Sequence, residues 1–230
     1  MSQINIRSHP KYTNLYISGP LHDPKLFTKN LDEGTKIYGE KLFIFGATEY
    51  REWIPHRSKL AAVLLNQPKH DFLKKISRCL YLGAASGTTI SHLSDILVDG
   101  VIYSVEFAER SMRQLIQNTS ERDNVIPILA DARHPEQFGK YVFSEIDFIY
   151  QDVAQPNQAE IAIRNGDYYL KEGGFILVAL KSQSIDSTVK PEKIYSQERK
   201  ELENSGYKII ESFNIHKYAA NHIVLLIQKE

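Results

Sequence analysis

"CLYLGAASGTTISHLSDIL", Cys79 to Leu97, decides the fold. Four apolar residues run into a loop of Gly, Ala, Ser and Thr, and a helical pattern begins at once. A short, continuous apolar run of this kind suits a strand buried on both faces, as in a parallel sheet covered by helices. A strand that ends in side chains this small lets something approach its backbone closely.

The same rhythm repeats downstream. Apolar strands are predicted at "CLYLG" (79–83), "VIYSVEF" (101–107), "VIPILAD" (125–131), "IDFIYQD" (146–152), "GFILVALK" (174–181), "YKIIESFNI" (207–215) and "HIVLLIQ" (222–228). Helical patterns fall between them near 89–98, 108–118, 157–170 and 192–204. The last two strands are separated only by about His216 to Asn221. A parallel crossover needs a dozen or more residues, so the final strand is expected to run antiparallel. The predicted fold class is α/β: a Rossmann-like sheet of six parallel strands with an antiparallel seventh, the layout of the large methyltransferase class.

Upstream the pattern changes. "INIRS", "NLYIS", "KLFTKNL" and "KLFIFG" are short aromatic or β-branched runs separated by turn residues, and they predict a small antiparallel sheet. A short helix is expected from Ser58, a suitable N-cap, to near Pro68. The chain is therefore divided into a small N-terminal β domain over 1–54 and a sheet domain over 55–230. Cys79 is the single cysteine, which excludes an internal disulfide and a Cys-rich zinc site; a buried small hydrophobe is its expected role. The eight histidines show no metal-ligand spacing, so no metal site is expected. Lys plus Arg equals Asp plus Glu at 28 each, so any nucleic-acid partner must meet a local patch or be held by something else. No apolar run reaches membrane-spanning length and no signal peptide is seen, which predicts a soluble, cytoplasmic protein.

In a doubly wound sheet, ligands bind beyond the carboxyl ends of the strands. Those ends are expected at Gly83, Glu106, Asp131, Asp152 and Lys181, and the antiparallel strand starts on the same edge with His222. Glu106 stands where a carboxylate accepts hydrogen bonds from ribose hydroxyls, a role shared by sites for NAD and for S-adenosylmethionine (SAM). The loop departs from G-x-G-x-x-G, with Ala85 between Gly83 and Gly87. Asp131 followed by Ala132 leans toward SAM, with an N-cap or turn role as the competing reading for Asp131.

The segments "YGEKLF", "EYREW", "RSKLAA", "LYLGAASGTTISH", "ADARHP", "DVAQPNQAEIAI" and "KSQSID" resemble the fibrillarin family in its archaeal form, over roughly four-fifths of the chain. The resemblance implies a SAM-dependent methyltransferase acting on the ribose 2′-hydroxyl of rRNA, with tRNA as a further substrate. It implies work inside a box C/D ribonucleoprotein with a guide RNA, a substrate RNA, a Nop56/58-type scaffold protein and a kink-turn-binding protein. Cofactor contacts are implied at Gly83, Ala84, Thr88, Thr89, Glu106, Phe107, Asp131, Ala132, Asp152, Val153, Ala154 and Gln155. A catalytic set is implied at Lys59, Asp152, Lys181 and His222, with Lys181 at the hydroxyl, Asp152 orienting it and the other two tuning the network. Gln183 stands where the family usually has Arg. A nicotinamide-dependent oxidoreductase, a non-catalytic ribonucleoprotein subunit and a protein-glutamine methyltransferase are the alternatives.

Overall fold

The computed structural model describes residues 4–20, 22–74 and 77–229. The first five strands are β1 (Arg7–Ser8), β2 (Leu15–Ser18), β3 (Lys25–Lys29), β4 (Leu42–Phe45) and β5 (Thr48–Trp53). They form an antiparallel sheet in the order β1-β2-β3-β5-β4. The strand β5 was not expected from the sequence, because "EYREW" interrupts its apolar pattern with charge. Its alternation nevertheless turns Arg51 and Trp53 inward, both buried.

Helix α1 (Lys59–Leu65) follows a short turn of 3-10 helix, and the Ser58 hydroxyl accepts the Ala61 N–H at 3.3 Å as the N-cap. The remaining elements are β6 (Arg78–Leu82), α2 (Thr88–Ile96), β7 (Val101–Glu106), α3 (Glu109–Thr119), β8 (Val125–Leu129), α4 (Pro135–Phe138), β9 (Ile146–Gln151), α5 (Gln158–Tyr169), β10 (Leu170–Lys181), α6 (Ser182–Ile185), α7 (Pro191–Asn204), β11 (Tyr207–Asn214) and β12 (His222–Lys229). The large sheet has the order β11-β12-β10-β9-β6-β7-β8. β10, β9, β6, β7 and β8 pair in parallel, and β12 pairs antiparallel with both β10 and β11. Six strands therefore run one way and β12 runs against them, as the short final connection requires.

Strand alternation builds one core layer on each face. Cys79 and Tyr81 join a layer with α1, α2, α3 and the small sheet, while Leu80 and Leu82 join a layer with α5 and α7. Trp53 lies in the first layer beside Leu93 and Ile96 of α2, so the small sheet shares the core of the large one. Its indole stacks on His92 with ring centroids 4.8 Å apart, which bridges the small sheet to α2. Tyr50 does not bridge: it packs edge-on against Tyr16 within the small sheet. At the end of α5 Tyr169 is buried and Tyr168 is 54% exposed.

A buried polar network fixes the two sheets together. Asp95 of α2 receives the Arg122 guanidinium at 2.6 Å on one oxygen, and Arg51 at 3.1 Å and the Thr28 hydroxyl at 2.7 Å on the other. Arg51 also contacts Glu40 at 2.7 Å, and all these side chains are buried. Burial alone raises the Glu40 pKa, but Arg51 and the backbone N–H groups of Tyr38 and Ile37 hold it below the usual carboxylate range. Every charge here has a partner, which is the condition for burying it.

Candidate active site

The loop after β6 shows what the small side chains make possible. Gly83 has φ +83°, and a Cβ there would strike the Asp152 carbonyl group, lying 3.0 Å from its carbon. The loop thus presses against the backbone that follows β9, and Asp152 N–H closes the contact by donating to Leu82 O at 2.9 Å. Ala85 adopts φ 50°, a conformation that a side chain makes costly. The reward is its N–H, which donates to Glu106 Oε2 at 2.9 Å.

Four of the loop amides are engaged within the protein. Gly83 and Ala84 N–H both donate to Val105 O, Gly87 N–H donates to Ala84 O, and Ala85 N–H is held by Glu106. A pyrophosphate cradle needs such groups free.

A cavity of about 190 Å³ lies against it, lined by Gly83, Ala85, Val105, Glu106, Phe107, Ala130, Ala132 and the segment Asp152 to Gln155. Glu106 is the one carboxylate deep in its wall, and Ala108 N–H takes its other oxygen at 2.8 Å. Backbone N–H groups therefore hold both oxygens, leaving lone pairs able to accept a pair of ribose hydroxyls. Phe107 is 62% exposed at the rim, a ring on which a purine can lie. Gln155 Oε1 is buried without a hydrogen-bond partner beside this cavity, an acceptor waiting for a donor. A buried acceptor, a ribose-type carboxylate and an apolar rim fit SAM.

Four of the residues implied as cofactor contacts stand outside this lining. Ala84 is buried behind the loop. Thr88 starts α2 without reaching the cavity wall. The Thr89 hydroxyl donates to Ser58 Oγ at 3.0 Å, which ties the start of α1 to the start of α2. Asp131 is not a strand end, because β8 stops at Leu129. Its carboxylate grips Arg133 at 2.6 Å within a turn, and that bond holds its pKa below the usual carboxylate range. Asp131 thus takes part in a turn, outside the lining of this cavity.

A second cavity of about 280 Å³ opens on the other side of Asp152, Val153 and Ala154. Its wall brings together Lys59, Asp152, Lys181 and His222, four residues from four separate segments. Lys59 follows the N-cap of α1, and its Nζ lies 2.8 Å from each oxygen of Asp152. Both side chains are 23% exposed, so solvent screens the pair only in part. Lys181 ends β10 directly opposite His222, which begins β12. Directly opposed residues share a face, with Cβ atoms about 5 Å apart.

His222 Nδ1 lies 2.6 Å from Ala220 O, so Nδ1 carries the proton and Nε2 keeps a lone pair. Burial lowers its pKa, and the Lys59 and Lys181 cations lower it further against the opposing pull of Ala220 O and Asp152. The imidazole is therefore neutral at neutral pH. The site thus gathers Asp152, Lys59, Lys181 and His222, with His56 and Arg57 also in its lining, and it shares Asp152, Val153 and Ala154 with the cavity of Glu106.

Comparison with known proteins agrees with this geometry. The fibrillarin family model matches residues 6–230. A fibrillarin-like rRNA/tRNA 2′-O-methyltransferase from Methanocaldococcus jannaschii is 43% identical over 202 residues, covering 88% of this chain and 87% of its own. The structure of Aeropyrum pernix fibrillarin in complex with natively bound S-adenosyl-L-methionine superposes with a TM-score of 0.89 at 40% identity, covering 99% of this chain and 100% of that one. A chain of a fibrillarin/Nop5p complex superposes with a TM-score of 0.83 at 40% identity, covering 95% and 99%. On the strength of the matched family model, the shared fold and the site geometry, the chain belongs to the fibrillarin family.

Proposed function

We propose that the chain transfers a methyl group from SAM to the ribose 2′-hydroxyl of rRNA, and of tRNA. It does so as the catalytic subunit of a box C/D particle in which a guide RNA selects the nucleotide. A Nop56/58-type scaffold and a kink-turn-binding protein complete that particle. The observation that supports this reading best is the shared wall: the cavities of Glu106 and of Lys59, Lys181 and His222 both end on Asp152, Val153 and Ala154. An in-line displacement needs donor and acceptor on either side of one narrow junction. The names of the curated relatives and the Nop5p complex support the substrate and the scaffold.

When bound, SAM supplies an already activated methyl group on a sulfonium. The chain's own residues then have to bind, align and manage one proton. Glu106 accepts from the ribose hydroxyls of the cofactor, and Phe107 and Ala132 line the adjacent apolar wall. Lys59 holds the Asp152 carboxylate in place from one side, which leaves that carboxylate to orient the target hydroxyl from the other. Lys181 contacts the hydroxyl oxygen and stabilises the negative charge that grows there. His222, with Nδ1 held by Ala220 O and its Nε2 lone pair free, is the group we assign to accept the hydroxyl proton.

The neutral overall charge fits a chain whose hold on RNA is shared with partners. The test is transfer of labelled methyl from SAM to a target RNA by the protein alone and in the assembled particle, with a 2′-deoxy target as control. Label only in the particle, lost with the deoxy nucleotide, is the expected result. Label that persists on the deoxy target moves the acceptor to a base or to protein and overturns the reading.

A further inference from the structure

Gln158 opens α5 and is fully buried, yet it has no place in the set of residues described so far. Its side chain spends both halves of its amide on backbone. Oε1 accepts the Lys181 N–H at 2.8 Å, and Nε2 donates to Gln155 O at 3.0 Å. Its own carbonyl accepts from Gln151 Nε2 at 2.7 Å. One side chain thus spans the end of the strand that bears Lys181 and the segment that lines both cavities.

The sheet explains why this bridge is needed. The parallel pairing of β9 with β10 ends at Gln151 and Val178, three residues short of Lys181. Beyond that point β10 is paired on one side only, by β12. A strand end with an unpaired edge frays and re-aims its side chains. The Gln158 amide replaces the missing strand by accepting the N–H that β9 does not reach.

We infer that Gln158 is a positioning residue for the methyl transfer, coupling the aim of Lys181 to the cofactor-facing segment Asp152 to Gln155. The inference rests on the function proposed above in its catalytic half, while its structural half stands on the hydrogen bonds alone. Glutamine is suited to the task because it offers an acceptor and a donor on one planar group. Leucine keeps the volume and loses both bonds. Glutamate keeps the acceptor for Lys181 N–H and loses the donor to Gln155 O, so it separates the two halves of the bridge.

The experiment compares wild-type, Gln158→Leu and Gln158→Glu proteins in two ways. Hydrogen exchange on the free protein reads the Lys181 amide directly. The expected result is fast exchange at residues 179–182 in Gln158→Leu, protection retained in Gln158→Glu, and an unchanged core in both. Methylation by the assembled particle reads the consequence. Gln158→Leu is expected to lower kcat by about tenfold or more while the KM for RNA stays within about threefold, and Gln158→Glu, which keeps only the Lys181 half of the bridge, to recover part of that loss.

Unchanged exchange at Lys181 in Gln158→Leu overturns the inference whatever the activity. Loss of kcat in step with a global loss of protection reduces Gln158 to a folding role and overturns it too. A wild-type particle that shows the expected exchange pattern but methylates no ribose refutes the proposed function and leaves the structural half of the inference standing.

Discussion

Gly83→Ala is the substitution by which the packing of the site is best measured. Gly83 stands at φ +83°, where an L side chain costs about 1–2 kcal/mol. The added Cβ also strikes the backbone of Asp152, lying 3.0 Å from its carbonyl carbon against the 3.4 Å at which ordinary contact begins. Relief requires the end of β9 or the loop to retreat by on the order of 1 Å, an overpacking that costs about 1–3 kcal/mol more. The sum is about 2–5 kcal/mol of stability.

Asp152 sits in both cavity walls, so the same retreat misplaces the carboxylate that Lys59 holds. A shift of this size is worth about 100-fold in rate. Gly46→Ala is the internal control, because Gly46 has φ +63° and nothing within 4 Å of an added Cβ. Urea unfolding isolates the clash as the difference between the two variants, and SAM binding by calorimetry reads its effect on the cofactor wall. Gly83→Ala is expected to lose at least about 1 kcal/mol more than Gly46→Ala and to weaken SAM binding severalfold. Equal losses in the two variants, with wild-type SAM affinity, would refute the claim that the loop is glycine-bound against Asp152.

Three further outcomes follow from named contacts. Glu106→Ala removes the carboxylate of the cofactor wall and the partner of Ala85 N–H, so SAM affinity is expected to fall at least tenfold by calorimetry; an unchanged Kd contradicts the ribose role. Arg51→Met leaves Glu40 without its cation and Asp95 with one fewer, for an expected loss of about 3–5 kcal/mol in urea unfolding; a loss under about 1 kcal/mol sinks the idea that this network joins the two sheets. The last concerns pH. Burial first, and the Arg51 and Arg122 cations second, hold the His92 pKa well below its ordinary value of about 6.5. Below that pH the unfolded chain binds a proton that folded His92 refuses, so stability falls on acidification from about pH 6.5, by at most about 1.4 kcal/mol per pH unit for this one group. His222 and His9, also lowered, act in the same direction. A urea midpoint that does not move between pH 7 and about pH 5.5 contradicts this burial.

The large sheet was legible because its strands are continuous apolar runs and its last connection is too short to cross over. The edge that carries the candidate site was legible for the same reason: topology places Glu106, Asp152, Lys181 and His222 at or beside strand ends before any contact is known. Lys59 was different. Nothing in a short apolar helix marks its first lysine, and only the family resemblance singled it out. Before Asp131 the strand is two residues shorter than its apolar run suggests, since β8 stops at Leu129 and the turn beyond it is held by Arg133.

Gln158 was hidden because its side chain bonds backbone groups, at Gln155 and at Lys181, which no side-chain spacing rule reports. The Arg51, Asp95 and Arg122 network was also missed, because charged residues interrupt the apolar pattern by which strands and helices are recognised. The period-two placement of Arg51 with Trp53 was the one signal that could have exposed it.

The most direct test of the account is nucleoside analysis of a target RNA after single-turnover methylation by the assembled particle, run beside calorimetric SAM binding for wild type and Lys181→Ala. The account predicts a 2′-O-methyl nucleoside from the wild type, and from Lys181→Ala a SAM affinity within about threefold of wild type with methylation reduced at least 100-fold. A methyl group on a base or on protein, or a Lys181→Ala particle that methylates ribose at the wild-type rate, would contradict it.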